Sequence, residues 1–282
     1  MKIVVTGVNG QLGFDVVREL NKRNYIDVLG IDINDLDLTN EKEVKQFMHH
    51  NKPDVIIHCA AYTAVDNAED NEKICYDVNV NGTKYLIESA KELDAKFVYI
   101  STDYVFSGDK DEEYLVEDIP NPKSIYGKTK YLGEVETQKH LKHFIIRISW
   151  VFGKNGNNFI KTMLRIGKEK DELNIVSDQM GSPTYTYDLS KLIADMISTE
   201  KYGIYHATNE GVCSWFEFAQ KIFEYSNMSI KLNPITTEQY PTKANRPKNS
   251  VMSKKNLVDN GFELLPSWQD ALKRYLKEIE VI

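Results

Sequence analysis

A tyrosine and a lysine are spaced for acid–base chemistry in the segment Tyr126-Gly127-Lys128-Thr129-Lys130. Residues four apart lie on one face of a helix, so Tyr126 and Lys130 would point into one cleft. An ammonium beside a phenol favours the phenolate, and it would lower the tyrosine pKa from about 10. A tyrosine so placed exchanges a proton with a carbonyl oxygen. By itself the spacing is also common on surface helices.

A glycine-rich turn near the start of the chain predicts a dinucleotide site. Gly7, Gly10 and Gly13 follow the apolar run Ile3-Val4-Val5. Gly7 would allow a tight turn, Gly10 a close approach to a pyrophosphate, and Gly13 close packing of helix on sheet. The free amides of the helix that follows attract phosphates. The alternative is an ordinary glycine-rich turn, but together with Tyr126 the motif predicts NAD(P)-dependent reduction or oxidation of a carbonyl/alcohol pair.

Three further segments would flank the dinucleotide. Asp32 ends the second predicted strand, where a carboxylate accepts hydrogen bonds from the adenosine ribose and favours NADH. The stretch Ile33–Leu38 contains no arginine to hold a 2′-phosphate, although Asp32 could also be a turn residue. Asp37-Leu38 and Ala60-Ala61-Tyr62-Thr63 lie where strand ends would meet the adenine or ribose.

Hydroxyl side chains end another predicted strand at Ser101-Thr102. Ligands of open α/β sheets bind beyond the carboxyl ends of the strands. We therefore predict that Thr102 hydrogen-bonds a carbonyl oxygen beside Tyr126. The alternative is that both hydroxyls only cap a loop.

The composition excludes several classes of partner. The 282 residues are 41% hydrophobic, and 42 acidic against 35 basic residues give a net charge of -7. An acidic surface repels phosphate backbones, so we expect no nucleic acid partner. The three cysteines Cys59, Cys75 and Cys213 form no disulfide or zinc pattern, which indicates a reducing cytoplasm. We also predict no leader and no membrane span, because no stretch has the roughly 20 apolar residues needed.

Alternating strand and helix signals predict an α/β fold, a Rossmann-type doubly wound parallel sheet with a smaller irregular α/β C-terminal substrate domain. We place the NAD(P)-binding domain at 1–150 and a mainly substrate-binding domain at 151–282, and allow for chain crossings. The predicted strands are Lys2–Thr6, Asp27–Asp32, Asp54–Cys59, Lys96–Ser101 and Phe144–Ile148. The predicted helices are Gln11–Lys22, Glu41–Asn51, Asn71–Leu93, Ile125–His140, Phe159–Glu169, Asp188–Thr199 and Trp215–Ser226.

Local signals predict a cap for one of these helices and the orientation of side chains in another. Asn40 is placed to cap the second helix, with Glu43 three residues later as in a capping box. In the helix that carries Tyr126, the pattern directs Leu132 inward and Glu134 towards water.

The combined motifs resemble the extended short-chain dehydrogenase/reductases and, more narrowly, the dTDP-4-dehydrorhamnose reductases. The likeness runs across nearly the whole chain. It rests on Thr6-Gly7-Val8-Asn9-Gly10-Gln11-Leu12-Gly13, Ala60-Ala61-Tyr62-Thr63-Ala64-Val65-Asp66, Ser101-Thr102-Asp103-Tyr104-Val105-Phe106, Tyr126-Gly127-Lys128-Thr129-Lys130, Arg147-Ile148-Ser149-Trp150-Val151-Phe152, Gly156-Asn157-Asn158-Phe159, Asp178-Gln179-Met180-Gly181-Ser182-Pro183-Thr184 and Arg246-Pro247.

The resemblance implies reduction of the C4 ketone of dTDP-4-dehydro-6-deoxy-L-mannose to dTDP-L-rhamnose, with NADPH or NADH as donor. It implies Thr102, Tyr126 and Lys130 as the catalytic residues. The implied cofactor contacts are Gly7, Gly10, Gln11, Leu12, Gly13, Asp32, Asp37, Leu38, Ala61, Tyr62, Thr63, Tyr126 and Lys130. The implied contacts to a dTDP-sugar are Thr102, Asp103, Tyr126, Trp150, Asn158 and Arg246. Trp150 could instead be a core residue, and Arg246 a surface arginine rather than a diphosphate ligand.

Some members of the family use a divalent ion in dimer contacts. Asp15 and Asp188 fall near the acidic positions involved, but both side chains are shorter than glutamate, and such residues on helices are usually solvated. We therefore keep a homodimer and a bound Mg²⁺ as options only, and we assign no metal site. Two other functions stay open: a non-catalytic NADP-binding regulatory subunit, and a nucleotide-sugar epimerase or dehydratase.

Overall fold

The computed structural model describes residues 1–24 and 26–282. The strands are β1 Lys2–Thr6, β2 Asp27–Ile31, β3 Val55–His58, β4 Lys96–Thr102, β5 His143–Ile148, β6 Val151–Phe152, β7 Glu172–Val176, β8 Met180–Gly181, β9 Thr184–Tyr185, β10 Gly203–His206, β11 Asn209–Glu210, β12 Cys213–Ser214, β13 Lys231–Ile235 and β14 Leu265–Ser267. The α-helices are α1 Gln11–Leu20, α2 Glu41–Asn51, α3 Val65–Ala68, α4 Glu72–Tyr76, α5 Thr83–Glu92, α6 Ile125–Thr137, α7 Phe159–Ile166, α8 Thr186–Met196, α9 Trp215–Tyr225, α10 Lys255–Asp259 and α11 Trp268–Glu278.

A six-stranded parallel sheet forms the centre of the molecule, in the order β10-β5-β4-β3-β1-β2. The chain adds β2 on one side of β1 and β3 on the other, so the direction of winding reverses at β1. Thr6 pairs with His58, and Thr102 pairs with Ile148, which brings the carboxyl ends of these strands to one edge. The predicted Rossmann-type α/β fold is confirmed, and this edge at the reversal point is where such sheets bind ligands.

The second half of the chain returns to this sheet. Strand β10 pairs in parallel with β5, and helix α8 packs on α1. Their side chains, such as Leu189 and Tyr205, share one buried core with Val16. The sequence does not predict strand β10, because its four residues carry little signal apart from the partner strand. The predicted domain boundary at residue 150 therefore does not separate the sheet domain in space, because β10 and α8 lie beyond it in the sequence and belong to the sheet domain.

A second buried core lies beside the sheet and belongs to the C-terminal half. Phe152, Phe218, Trp268 and Tyr275 are among its members, contributed by β6, α9 and α11. The parallel pair β7 and β13 flanks it. This unit is smaller and more irregular than the sheet domain, in keeping with many prolines in its sequence. None of the helices in the described residues has the length and apolar character to cross a bilayer.

Two sequence-based expectations need correction. The helix predicted at Asn71–Leu93 is interrupted, because the turn Asp77–Gly82 between α4 and α5 is π-helical. Glu134 does not face water, since its side chain is 0% exposed and bonded by Arg147 and Ser101. By contrast, Asn40 caps α2 as expected and accepts from the Glu43 amide at 3.3 Å.

Candidate active site

A cavity of about 840 Å³ lies at the carboxyl edge of the sheet, between the sheet and the C-terminal half. All the site residues inferred from the sequence line it except Asn158. The other lining residues are Thr6, Asn9, Ile31, Ile33, Leu36, Thr39, Cys59, Ala60, Val65, Ile74, Val78, Ile100, Ser101, Tyr104, Ile148, Ser149, Val151, Gln179, Trp215, Pro247 and Ser250.

The glycine turn shapes one end of the cavity. Gly7 has a φ of +71°, and a Cβ there would lie 2.7 Å from the Ala60 Cα. A Cβ on Gly13 would lie 2.2 Å from the Gly7 carbonyl oxygen. Gly10 caps α1 without any side-chain hydrogen bond. The backbone cradle and the uncapped helix N-terminus fit the pyrophosphate of a dinucleotide.

Two carboxylates, Asp32 and Asp37, line the cavity at the end formed by the glycine turn. The Asp32 carboxylate accepts backbone N–H bonds from Asn9 at 2.9 Å and from Ile33 at 2.8 Å. Asp37 accepts from the Thr39 amide at 2.9 Å. The basic side chains among the described cavity-lining residues are Lys130 and Arg246, and neither belongs to this segment. This end therefore offers acceptors to ribose hydroxyls.

Helix α6 carries the tyrosine and the lysine into the cavity. Ser124 begins the helix by accepting from the Gly127 amide at 3.1 Å. The Ile125 amide donates to Glu69 at 2.9 Å, which ties the start of α6 to the loop after α3. Tyr126 and Lys130, four residues apart, both face the cavity from the first turns of α6.

The acid–base state of the pair differs from the sequence-based expectation. Burial raises the pKa of Tyr126, against a smaller lowering by the Thr102 hydroxyl, so the phenol stays protonated. Burial lowers the pKa of Lys130 to about 7, although the Glu134 carboxylate acts in the opposite direction. The Lys130 Nζ lies 4.1 Å from the centre of the Tyr99 ring. The expected lowering of the Tyr126 pKa was wrong because it ignored burial of both groups.

The Thr102 hydroxyl belongs to a chain of hydrogen bonds. It donates to one oxygen of Asp103 at 2.8 Å, and Ser250 donates to the other oxygen at 2.5 Å. Burial raises the pKa of Asp103 to about 6. Ser250 was missed from the sequence, because nothing near it in the chain indicates a contact with residue 103. These hydrogen bonds direct the Thr102 hydroxyl proton towards Asp103 and hold the Thr102 oxygen beside Tyr126.

Asn79 is a second residue that the sequence did not reveal. It lies in the π-helical turn and is 1% exposed. Its amide oxygen accepts from the Tyr62 amide at 2.8 Å, and its amide nitrogen donates to Thr129 at 3.1 Å. One side chain thus joins the loop after β3 to the catalytic helix. Local π-helical turns often occur at functional sites.

Aromatic and basic side chains of the C-terminal half form the opposite wall. Trp150 has a φ of +49° and stacks on Trp215 with ring centres 3.7 Å apart. Arg246 lines this wall and donates to Asp66 at 2.9 Å, and its Nε is buried without a partner in the described residues. Asn158 lies outside the cavity. It caps α7 and donates to Gln11 at 3.1 Å, so the implied substrate contact is not found there.

The two acidic residues considered for a metal are buried, not solvated as expected. Asp15 accepts from Thr186 at 2.5 Å and lies 3.5 Å from Arg18. Asp188 accepts two bonds from Arg274, at 2.7 and 2.6 Å. Both positions point inward between helices, and each carboxylate has a cationic partner.

Lys130 should make stability depend on pH. Its pKa of about 7 in the folded chain lies below the ordinary 10.5. Between these values the unfolded chain binds more protons, so the free energy of unfolding should rise with pH through that window. The rise should reach a few kcal/mol, since each pKa unit is worth about 1.4 kcal/mol. Urea denaturation of wild type and Lys130→Met between about pH 6 and 9.5 measures it, because the rise should vanish in the variant. If the difference in the free energy of unfolding between the two proteins did not change with pH, the assigned pKa would be contradicted.

Comparison with known proteins gives a consistent family. The sequence pattern of the RmlD substrate binding domain matches residues 1–281. A dTDP-4-dehydrorhamnose reductase of Aggregatibacter actinomycetemcomitans is 42% identical over 96% of this chain and 97% of its own length. A solved dTDP-4-dehydrorhamnose reductase of Clostridium acetobutylicum superposes with a TM-score of 0.97 at 42% identity, over 99% of this chain and 100% of that one. The Bacillus anthracis enzyme, solved in complex with NADP, gives 0.96 at 46% identity, over 98% and 99%.

Proposed function

The chain belongs to the family of the RmlD substrate binding domain and the dTDP-4-dehydrorhamnose reductases, and we propose that it reduces the C4 ketone of dTDP-4-dehydro-6-deoxy-L-mannose to dTDP-L-rhamnose. It is an NAD(P)H-dependent oxidoreductase. One observation carries the proposal: Thr102, Tyr126 and Lys130 line the same cavity as the glycine turn.

In the reaction, the reduced nicotinamide supplies the hydride that C4 receives. The oxygen on C4 then takes a proton from the Tyr126 phenol, which burial keeps protonated in the free protein. To donate to the same oxygen and hold it beside Tyr126, Thr102 would turn its single hydroxyl proton from Asp103 to the bound substrate. The Lys130 side chain stabilises the phenolate that proton donation leaves behind, and it does so in its charged form. Electrostatic support of this kind is strong because Lys130 is only 3% exposed, and charges interact more strongly away from water.

The dinucleotide would lie along the glycine turn, with its adenosine ribose at Asp32 and Asp37. The adenosine part of the dinucleotide would also contact Ala61, Tyr62 and Thr63. We propose that NADPH and NADH both serve as donor. The carboxylates of this end suit the free 2′-hydroxyl of NADH, whereas the solved Bacillus anthracis relative holds NADP.

The substrate would occupy the wall formed by the C-terminal half. Asp103 and Trp150 would contact the sugar. Arg246 would reach the diphosphate, because it lines the cavity and its forked donors match phosphate oxygens. The homodimer and the cytoplasmic location remain predictions from the sequence.

The test is a reductase assay on the purified protein. With the 4-keto-6-deoxy-L-sugar nucleotide and either NADPH or NADH, we expect loss of reduced nicotinamide and one dTDP-L-rhamnose per dinucleotide oxidised. Free oxidised dinucleotide should accumulate, which an epimerase or dehydratase that recycles its cofactor would not allow. Binding of NADP without any turnover would instead support the regulatory subunit. Inactivity with both donors would overturn the proposal.

A further inference from the structure

Gln179 is a cavity-lining residue for which the reaction described above has no role. It lies between β7 and β8, is 5% exposed, and borders the cavity. The residue after it is held to a distant part of the chain: the Met180 amide donates to Lys248 at 2.8 Å, and Ser250 donates back to Met180 at 2.8 Å. Ser250 also bonds Asp103. Gln179 therefore lies near the catalytic end of the cavity.

A hydrogen-bond chain fixes the orientation of the Gln179 amide. Thr237 donates its hydroxyl proton to Asp178 at 2.7 Å, and its backbone N–H donates to the same carboxylate oxygen at 2.8 Å. The Thr237 oxygen can then only accept from Gln179, whose Nε2 lies 3.1 Å away. A flipped amide would set two acceptors against each other. The neighbours, rather than an arbitrary assignment, thus determine which end is nitrogen.

The other end of the amide is its oxygen. Within residues 1–24 and 26–282 the Gln179 Oε1 has no hydrogen-bond partner. It is not among the unpaired polar atoms that are buried, so part of its surface is accessible to solvent. It is therefore an accessible acceptor with a fixed orientation, on a residue that borders the cavity. Such an atom selects a ligand group that donates a hydrogen bond, because a ligand without the donor would leave the oxygen unpaired.

We propose that Gln179 is a specificity residue whose side-chain oxygen accepts a hydrogen bond from a hydroxyl of the substrate's hexose ring. The inference rests on the proposed function, which places the C4 oxygen at Thr102 and Tyr126. The C3 hydroxyl, on the ring carbon next to C4, then lies at the catalytic end, where Gln179 is held through Met180 and Ser250. The alternative donor is the imide N–H of the nucleobase, which lies beyond the diphosphate from the reacting carbon.

Binding measurements separate these two sources. We compare dTDP-L-rhamnose with dTDP by calorimetry for wild type and Gln179→Met, which keeps the side-chain length and removes the acceptor. We expect dTDP-L-rhamnose to bind about 10- to 100-fold more weakly to the variant and dTDP to bind equally. Equal loss for both ligands would assign the oxygen to the base, and no loss for either would remove Gln179 from recognition. Both results would overturn the proposal.

Two further variants make the test specific. Thr237→Val removes the atom that orients the amide and should produce a smaller loss with the same dependence on the sugar. Gln220→Met, on the exposed side of α9, is the matched control and should change neither affinity. Turnover is measured separately, so a wild type that binds dTDP-L-rhamnose but reduces no ketone would count against the proposed function alone.

Discussion

Replacing Tyr126 by phenylalanine should lower turnover by about 10²- to 10⁴-fold, the usual contribution of a positioned general acid. The phenol is the group whose proton the C4 oxygen receives, and burial holds that proton on Tyr126 in the free protein. The ring itself should keep its place, because it packs edge-on against Tyr104 with centres 5.5 Å apart. We therefore expect the loss in kcat rather than in folding.

The measurement is single-turnover reduction of the sugar nucleotide, together with calorimetric binding of NADH. Binding should stay within about threefold of wild type, since the phenol hydroxyl is one of many contacts to the dinucleotide. Tyr131→Phe is the matched control, because Tyr131 lies on the same helix but outside the cavity and packs near Val105 and Phe106. It should retain turnover. Unchanged turnover in Tyr126→Phe would remove this residue from the mechanism.

The parts of the site that could be predicted have local signals. The turn at Gly7 and Gly13 lies between an apolar strand and a helix, and the backbone at both positions excludes a side chain. Thr102 ends a strand in the interior of a parallel sheet, so topology alone places it at the ligand edge. The spacing of Tyr126 and Lys130 needs only one regular helix. Each inference depends on a short stretch of chain.

The parts that could not be predicted depend on contacts between distant segments. Ser250 meets Asp103, and Thr237 orients Gln179, across separations of 147 and 58 residues. Strand β10 exists because β5 offers it an unpaired edge. The Tyr126 pKa is raised rather than lowered because burial outweighs the hydrogen bond of Thr102, and burial is a property of the whole fold.

Glu134→Gln should destabilise the protein by about 3–5 kcal/mol, the usual cost of breaking a buried ion pair from one side. Arg147 is 2% exposed and donates to both oxygens of Glu134, at 2.9 and 2.8 Å. A neutral amide would leave its guanidinium charged and without a counter-charge in the core. The carboxylate also raises the pKa of Lys130, so its loss should lower that pKa further.

Urea denaturation near neutral pH measures the cost, and the chain supplies a matched control on the same helix. Glu136 forms a 2.6 Å pair with Lys139, whose side chain is 52% exposed, so Glu136→Gln should cost no more than about 1 kcal/mol. The double variant Glu134→Leu, Arg147→Met removes both charges and should be more stable than Glu134→Gln, since the penalty arises from the unpaired arginine. A double variant as unstable as the single one would show that packing, rather than charge, sets the cost.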